Sequence, residues 1–165
     1  MNKLYFSHQE FILRKDLPVA SDIIDKIIEY HLLPMNEIRQ KFGSPIIVSK
    51  SSGYRHMEHE IEKNRLPTSS HLFMEHPERQ DPGFGASDYT VAPALFVKFI
   101  ELMVESQYTR IAFYPFQKTP FIHCDYRFFG VDKFYYFVNH KNEWHRVTKF
   151  ELIDAVGKRF QSSAT

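Results

Sequence analysis

Four short segments carry side chains of the kinds that bind metals, move protons or grip anions. They are Ser52-Gly53-Tyr54-Arg55, Ser69-Ser70-His71, Gly85-Ala86-Ser87-Asp88 and Phe121-Ile122-His123-Cys124-Asp125. Nine histidines are present, and most must be structural or simply exposed. His71 falls in a Ser/Pro-rich loop, the usual setting of an exposed histidine. His123 falls in an apolar run, where a lone histidine is ordinarily a satisfied core residue. Considered singly, Asp88 reads as a strand-end acid and Arg55 as a surface cation. Cys124 and His123 are neighbours on one extended run, so they face apart and cannot form the nucleophile–base hydrogen bond of a cysteine hydrolase. Cys124 reads instead as a small buried hydrophobe.

The elements that must hold these segments follow from hydrophobic spacing. Tyr5 to Leu13 reads as an ordered arm anchored by Phe6, Phe11 and Leu13. Ile23, Ile24, Ile27 and Ile28 recur at helical spacing, with Ser21 and Asp22 as the N-cap. Pro34 is expected to part this helix from a second, Asn36 to Lys41, which Gly43 ends. Pro45 to Val48 reads as a short strand, and Ser51 to Gly85 as an irregular third rich in Ser, His, Pro and Gly. Asp88 to Val91 starts another strand. Pro93 to Val104 is an amphipathic helix with Leu95, Phe96, Phe99, Ile100 and Met103 on one face. Arg110 to Tyr114, Phe121 to Tyr126 and Phe134 to Val138 read as consecutive strands of an antiparallel sheet, and Lys149 to Phe160 as a closing helix. Helices at the ends with strands clustered late make the fold class α+β.

Bulk properties narrow the function classes. The 165 residues suit one domain, taken as 1–165 with its core over about 5–140 and the C-terminal helix over about 149–160. A net charge of +1 and the lack of a Lys/Arg run give no general attraction to nucleic acid. One cysteine excludes an internal disulfide. No apolar stretch approaches the roughly 20 residues of a membrane span. Met1 to Lys15 lacks the apolar core of a secretory signal, so synthesis in the cytoplasm is expected, with another route for any export. Aromatic residues make up 16% of the chain, which fits either a dense core or a substrate groove; Trp144 and Tyr135-Tyr136 are candidates for both.

In their order along the chain, the four segments resemble the zinc D-Ala-D-Ala carboxypeptidases, peptidoglycan metallopeptidases with the hedgehog/DD-peptidase fold. That family carries a Ser-Gly-Tyr-Arg turn, then Ser-x-His, then Ala-x-Asp, then a strand with an apolar-apolar-His-x-Asp pattern. Phe6 to Phe11, Met35 to Ser52 and Tyr114-Pro115 extend the likeness over residues 5 to 140. The resemblance implies an α+β domain in which helices flank an antiparallel sheet. It implies Zn2+ held by His71, Asp88 and His123. Three N/O ligands leave a fourth position for water, as catalytic zinc requires. It also implies that Arg55 grips a substrate carboxylate or carbonyl oxygen, a task that suits the planar guanidinium fork. The expected activity is hydrolysis of amide bonds in peptidoglycan stem peptides, as a D,D-carboxypeptidase or an endopeptidase. Its partner is then a peptidoglycan peptide, with action at the bacterial cell wall, as in a bacterial or phage lysis enzyme.

The chain departs from that pattern in two places. His71 and Asp88 are separated by a longer loop than the family's; Phe73 to Phe84 holds Glu75, His76, Glu78 and Asp81, and offers His76 as a rival ligand. Where relatives carry an acid or a histidine shortly before the last ligand, this chain has Pro120 and Phe121. Asp125, on the same strand face as His123, stands as a group that orients a ligand or assists proton transfer, or else pairs with Arg127. His140 and His145 are more distant candidates for a proton shuttle. A zinc-containing wall-binding module without hydrolysis, and a metal-free interaction protein, are the competing readings.

Overall fold

The structure, a computed structural model, describes residues 4–50 and 52–161. The leader reading of the first 15 residues and the 1–165 domain bounds therefore lie partly outside the described residues. Six strands form one sheet in the order β1-β4-β6-β5-β7-β8. They are β1 (Ile47–Val48), β4 (Ala86–Thr90), β5 (Arg110–Tyr114), β6 (Phe121–Asp125), β7 (Phe134–Val138) and β8 (Trp144–Val147). A separate hairpin pairs β2 (Glu75–His76) with β3 (Asp81–Pro82). The helices are α1 (Ser21–Ile27), α2 (Leu33–Phe42), α3 (Met57–Glu62), α4 (Phe96–Val104) and α5 (Lys149–Gln161). The architecture is α+β, as expected.

The sheet is mixed rather than antiparallel, which corrects the sequence expectation. β5 pairs antiparallel with β6 but parallel with β7, in the register Ile111↔Tyr135 and Ala112↔Tyr136. The segment from Tyr126 to Lys133 carries the chain past β5 before β7 begins. β8 then closes the edge antiparallel to β7. Its Trp-His-Arg-Val sequence is largely exposed and lacks apolar alternation, so no strand signal marked it.

Alternation along β6 divides the molecule into two sides. Ile122 and Cys124 are fully buried, and with Ile111 and Phe113 of β5 they belong to the core. α4 buries Phe96, Phe99, Ile100, Met103 and Val104, at helical spacing, in that core. Phe96 stacks on Phe160 of α5 with ring centroids 4.5 Å apart and meets Phe113 at 6.0 Å. Phe121, His123 and Asp125 are left facing the other way, together with Arg110, Ala112 and Tyr114 of β5.

Pro34 does not separate two helices. The chain stays helical from Ser21 to Phe42, with a π-helical stretch, Ile28–Leu32, between α1 and α2. Pro34 brings no N–H to this region, and the Tyr30 carbonyl accepts a hydrogen bond from the Tyr126 hydroxyl at 2.6 Å. Helix α1 is entered from Ala20 with no side-chain cap, so Ser21 and Asp22 are helical residues rather than the cap. Gly43 ends α2 in the left-handed conformation, as its position predicted. Among the described residues, no helix is long and apolar enough to cross a membrane.

Candidate metal centre

Two strands and one turn bring His71, Asp88 and His123 together. Asp88 of β4 and His123 of β6 are direct cross-strand partners, so their side chains emerge side by side on one face. His71 arrives from a 3-10 turn, Ser70–Leu72, whose N-cap Ser69 accepts the His71 N–H through Oγ. His123 Nδ1 lies 2.7 Å from Asp88 Oδ1, and His71 Nε2 lies 3.7 Å from the same oxygen. One donor atom from each of the three lies within 4.8 Å of the others, and all three residues are buried. Ligand atoms around a tetrahedral ion with bonds near 2 Å sit about 3.3 Å apart, so the group can hold a metal ion after small side-chain shifts.

The outer partners fix which nitrogen each ring offers. His71 donates Nδ1–H to the Gly53 carbonyl at 2.8 Å, which leaves Nε2 turned toward Asp88. His123 donates Nε2–H to Asp125 Oδ2 at 2.9 Å, which leaves Nδ1 on the inner side. Backbone and carboxylate acceptors of this kind orient metal-binding histidines and raise their basicity. Gly53 has φ +73°, and a Cβ there would run into the Phe11 carbonyl. The turn therefore needs glycine to bring its own carbonyl to His71. The N-terminal arm packs this turn from behind: Tyr54 N–H donates to Phe11 O at 2.6 Å, and Leu13 N–H to Tyr54 O at 3.1 Å. Asp88 in turn donates its backbone N–H to Ser52 Oγ.

The two histidines differ in their electrostatics. Burial lowers the His71 pKa to about 3 against the pull of Asp88, so its ring is neutral and ready to ligate at neutral pH. Burial would raise Asp88, but His71, His123 and Arg55 outweigh it and hold the carboxyl below its ordinary range. Burial would lower His123, but Asp125 and Asp88 outweigh it and raise its pKa. Asp125, fully buried, is pushed up by desolvation and far down again by Arg110 and His123.

Arg55 stands beside the group, with its guanidinium 3.8 Å from Asp88 Oδ2 and 3.4 Å from Glu60 Oε1. Asp125 pairs with Arg110, the residue opposite it on β5, and not with Arg127. The Arg127 side chain turns to Asp81 at 3.1 Å, although its backbone N–H does reach Asp125 Oδ1. His76 is not in the cluster; it lies on β2 and faces Glu78 at 3.5 Å. His140 and His145 lie outside the cleft that the cluster opens into, as do Tyr135 and Tyr136, whereas Trp144 lines it. That cleft measures about 940 Å³.

Sequence reasoning passed over several residues that shape this centre. Arg110 reaches it through strand pairing with Asp125, which leaves no motif. Glu60 is 1% exposed and sits between Arg55 and Arg65. Asp81 lies in the loop read as an insertion, yet it accepts Ser70 Oγ–H at 2.6 Å and Gly83 N–H at 3.0 Å. That loop thus pins the turn that carries His71. Set against family models, curated proteins and solved structures, the chain matches none of them.

Proposed function

We propose that this chain is a zinc-dependent peptidase that hydrolyses amide bonds in bacterial peptidoglycan stem peptides, on a fold resembling that of the hedgehog/DD-peptidase group. The observation that carries this reading is the convergence of His71, Asp88 and His123, each ring held by its own outer acceptor, beside Arg55 at the floor of an open cleft. The donor set suits zinc: two imidazole nitrogens and one carboxylate, with room for a fourth ligand. When bound there, zinc supplies Lewis acidity and a water whose pKa falls to about 7.

The chain's own groups supply binding and orientation. Arg55, held between Glu60 and Asp88, presents its fork to a substrate carboxylate or to a carbonyl oxygen gaining negative charge. Asp125 serves as a positioning residue. Its tie to Arg110 and its strongly lowered pKa suit it to orienting His123 and leave it a poor proton acceptor. Hydrolysis adds hydroxyl to the carbonyl carbon and a proton to the departing nitrogen as the C–N bond breaks.

A zinc-containing wall-binding module is the second reading. It is favoured by one observation: among the described residues, the only carboxylates lining the cleft are Glu60, engaged by two arginines, and Asp88, a member of the donor group. Elemental mass spectrometry of the wild type and of His71→Ala, Asp88→Ala and His123→Ala tests the centre. About one zinc per chain, lost in all three variants, is expected; no zinc uptake would end both readings. Digestion of purified wall by the zinc-loaded chain separates them, since release of new amino termini occurs only with the peptidase.

A further inference from the structure

The cleft extends to both sides of the donor group, and its charge is lopsided. Six cations line it, Arg55, Arg65, Arg79, Arg110, Lys118 and Arg127, on a chain whose net charge is only +1. Among the described residues, Glu60 and Asp88 alone face them along the lining, with Asp125 and Asp81 behind the wall paired to Arg110 and Arg127. Four of the six cations thus have acidic partners. Arg79 and Lys118 have no ion-pair partner among the described residues, and both are exposed.

These two sit at opposite ends of β6. Lys118 lies in the turn that leads into Phe121, on the near side of His123. Arg79 lies in the 3-10 turn Pro77–Arg79, and the next residue's carbonyl, Gln80 O, accepts the Phe128 N–H at 2.8 Å, just past the far end of the strand. β6 itself spans about 13 Å at ~3.3 Å per residue, with His123 at its middle. The rest of the lining holds the rings of Phe121, Tyr114 and Trp144, Gln117 and Asn142 bonded to each other at 3.3 Å, and four arginines whose charge Glu60, Asp88, Asp125 and Asp81 already take up. Single cations set apart by such surfaces match carboxylates on separate residues of an extended chain better than the dense charge of a polyphosphate.

We infer that the cleft takes an extended peptide with free carboxylates on both sides of the donor group, read by Lys118 at one end and Arg79 at the other. This rests on the peptidase reading of the same site, and it makes the enzyme an endopeptidase for acidic peptides rather than one that trims a chain end. Binding, not turnover, is the decisive readout. Trp144, the chain's one tryptophan, lines the cleft and reports occupancy by its fluorescence.

The probe is a blocked Gly/Ser heptapeptide with glutamate at its second and sixth positions, titrated into the full chain with zinc and with chelator. Its controls are the same peptide with glutamine at both positions and with a single glutamate. The two-glutamate peptide is expected to bind about ten-fold tighter than the glutamine peptide at low salt, with the single-glutamate peptide between them. Lys118→Gln and Arg79→Gln each remove about three-fold, and together abolish the preference. The charge-matched Lys41→Gln/Lys158→Gln leaves it intact. Equal binding of the glutamate and glutamine peptides, or a preference that survives the double variant, overturns the inference. So does tighter binding of inorganic tripolyphosphate that is lost in the same variants. A chain that cleaves wall peptide but ignores charge refutes this inference alone; one that shows the charge preference without cleaving refutes only the peptidase reading.

Discussion

Arg110 and Asp125 face each other across β5 and β6, and the Arg110 Nε–H donates to both carboxylate oxygens at 3.0 and 2.9 Å. The same carboxylate accepts Nε2–H of His123. A guanidinium on one strand thereby sets the ring angle of a histidine on the next, with Ala112 opposite His123 small enough to leave the way clear.

Asp125→Asn should therefore weaken zinc binding without removing a ligand. The amide still fits the space, but His123 loses a charged acceptor and Arg110 its counterion. Loss of such an outer acceptor costs about 10- to 100-fold in metal affinity. Competition against a chromophoric chelator measures it; an unchanged affinity would show that Asp125 does not act through His123.

Gly53→Ala should be costly for two coupled reasons. An alanine must adopt φ +73°, and its Cβ meets the Phe11 carbonyl. Strain of this kind costs about 1–3 kcal/mol before any shift of the turn. Because the Gly53 carbonyl is also the acceptor for His71 Nδ1–H, zinc affinity should fall together with stability. Urea unfolding and zinc titration of one variant test both; a variant as stable as the wild type would mean that the turn relaxes freely.

Much of this arrangement was legible from residue order, and the reasons for the gaps are physical. The pattern in β6 placed His123 and Asp125 on one face because strand alternation is a local property. The helical spacing of Phe96, Phe99, Ile100 and Met103 marked α4 for the same reason. The parallel pairing of β7 with β5 is a tertiary choice that no local spacing encodes, so the sheet was misread as antiparallel. Arg110 was invisible as a site residue because its role depends on register with Asp125. Pro34 was read as a break because its missing N–H is local, whereas the Tyr126 hydroxyl on the Tyr30 carbonyl comes from far along the chain.

The buried His31 should make stability depend on pH. Its Nε2–H donates to the Phe84 carbonyl at 2.9 Å, which leaves Nδ1 as an acceptor facing the Ser87 hydroxyl at 3.1 Å, with the Tyr108 hydroxyl 3.2 Å away, so the fold favours the neutral ring. Burial lowers its pKa to about 4, from an ordinary 6.5. Between those values the unfolded chain binds the proton and the folded chain does not, so stability is full above about pH 6.5 and is lost as pH falls toward 4. His31→Gln should lose about 2 kcal/mol less than the wild type between pH 7 and pH 5. Equal losses in chemical denaturation of the metal-free proteins would remove His31 from the acid response.

Asp81 gives the last test, because it joins the long loop to the metal centre. The carboxylate is 3% exposed and takes Ser70 Oγ–H, Gly83 N–H and Arg127 Nε–H together. Asp81→Ala removes all three acceptor contacts and leaves Arg127 without its carboxylate. Breaking a buried pair costs about 3–5 kcal/mol, reduced here because the Arg127 side chain is 13% exposed. The expected melting point is several degrees lower, and zinc affinity falls because the Ser70–Leu72 turn that carries His71 is no longer pinned. Asp81→Asn, which keeps an acceptor for Ser70, should recover most of the zinc affinity while remaining less stable than the wild type. If Asp81→Ala melts early yet binds zinc with wild-type affinity, the loop stabilises the fold without positioning His71.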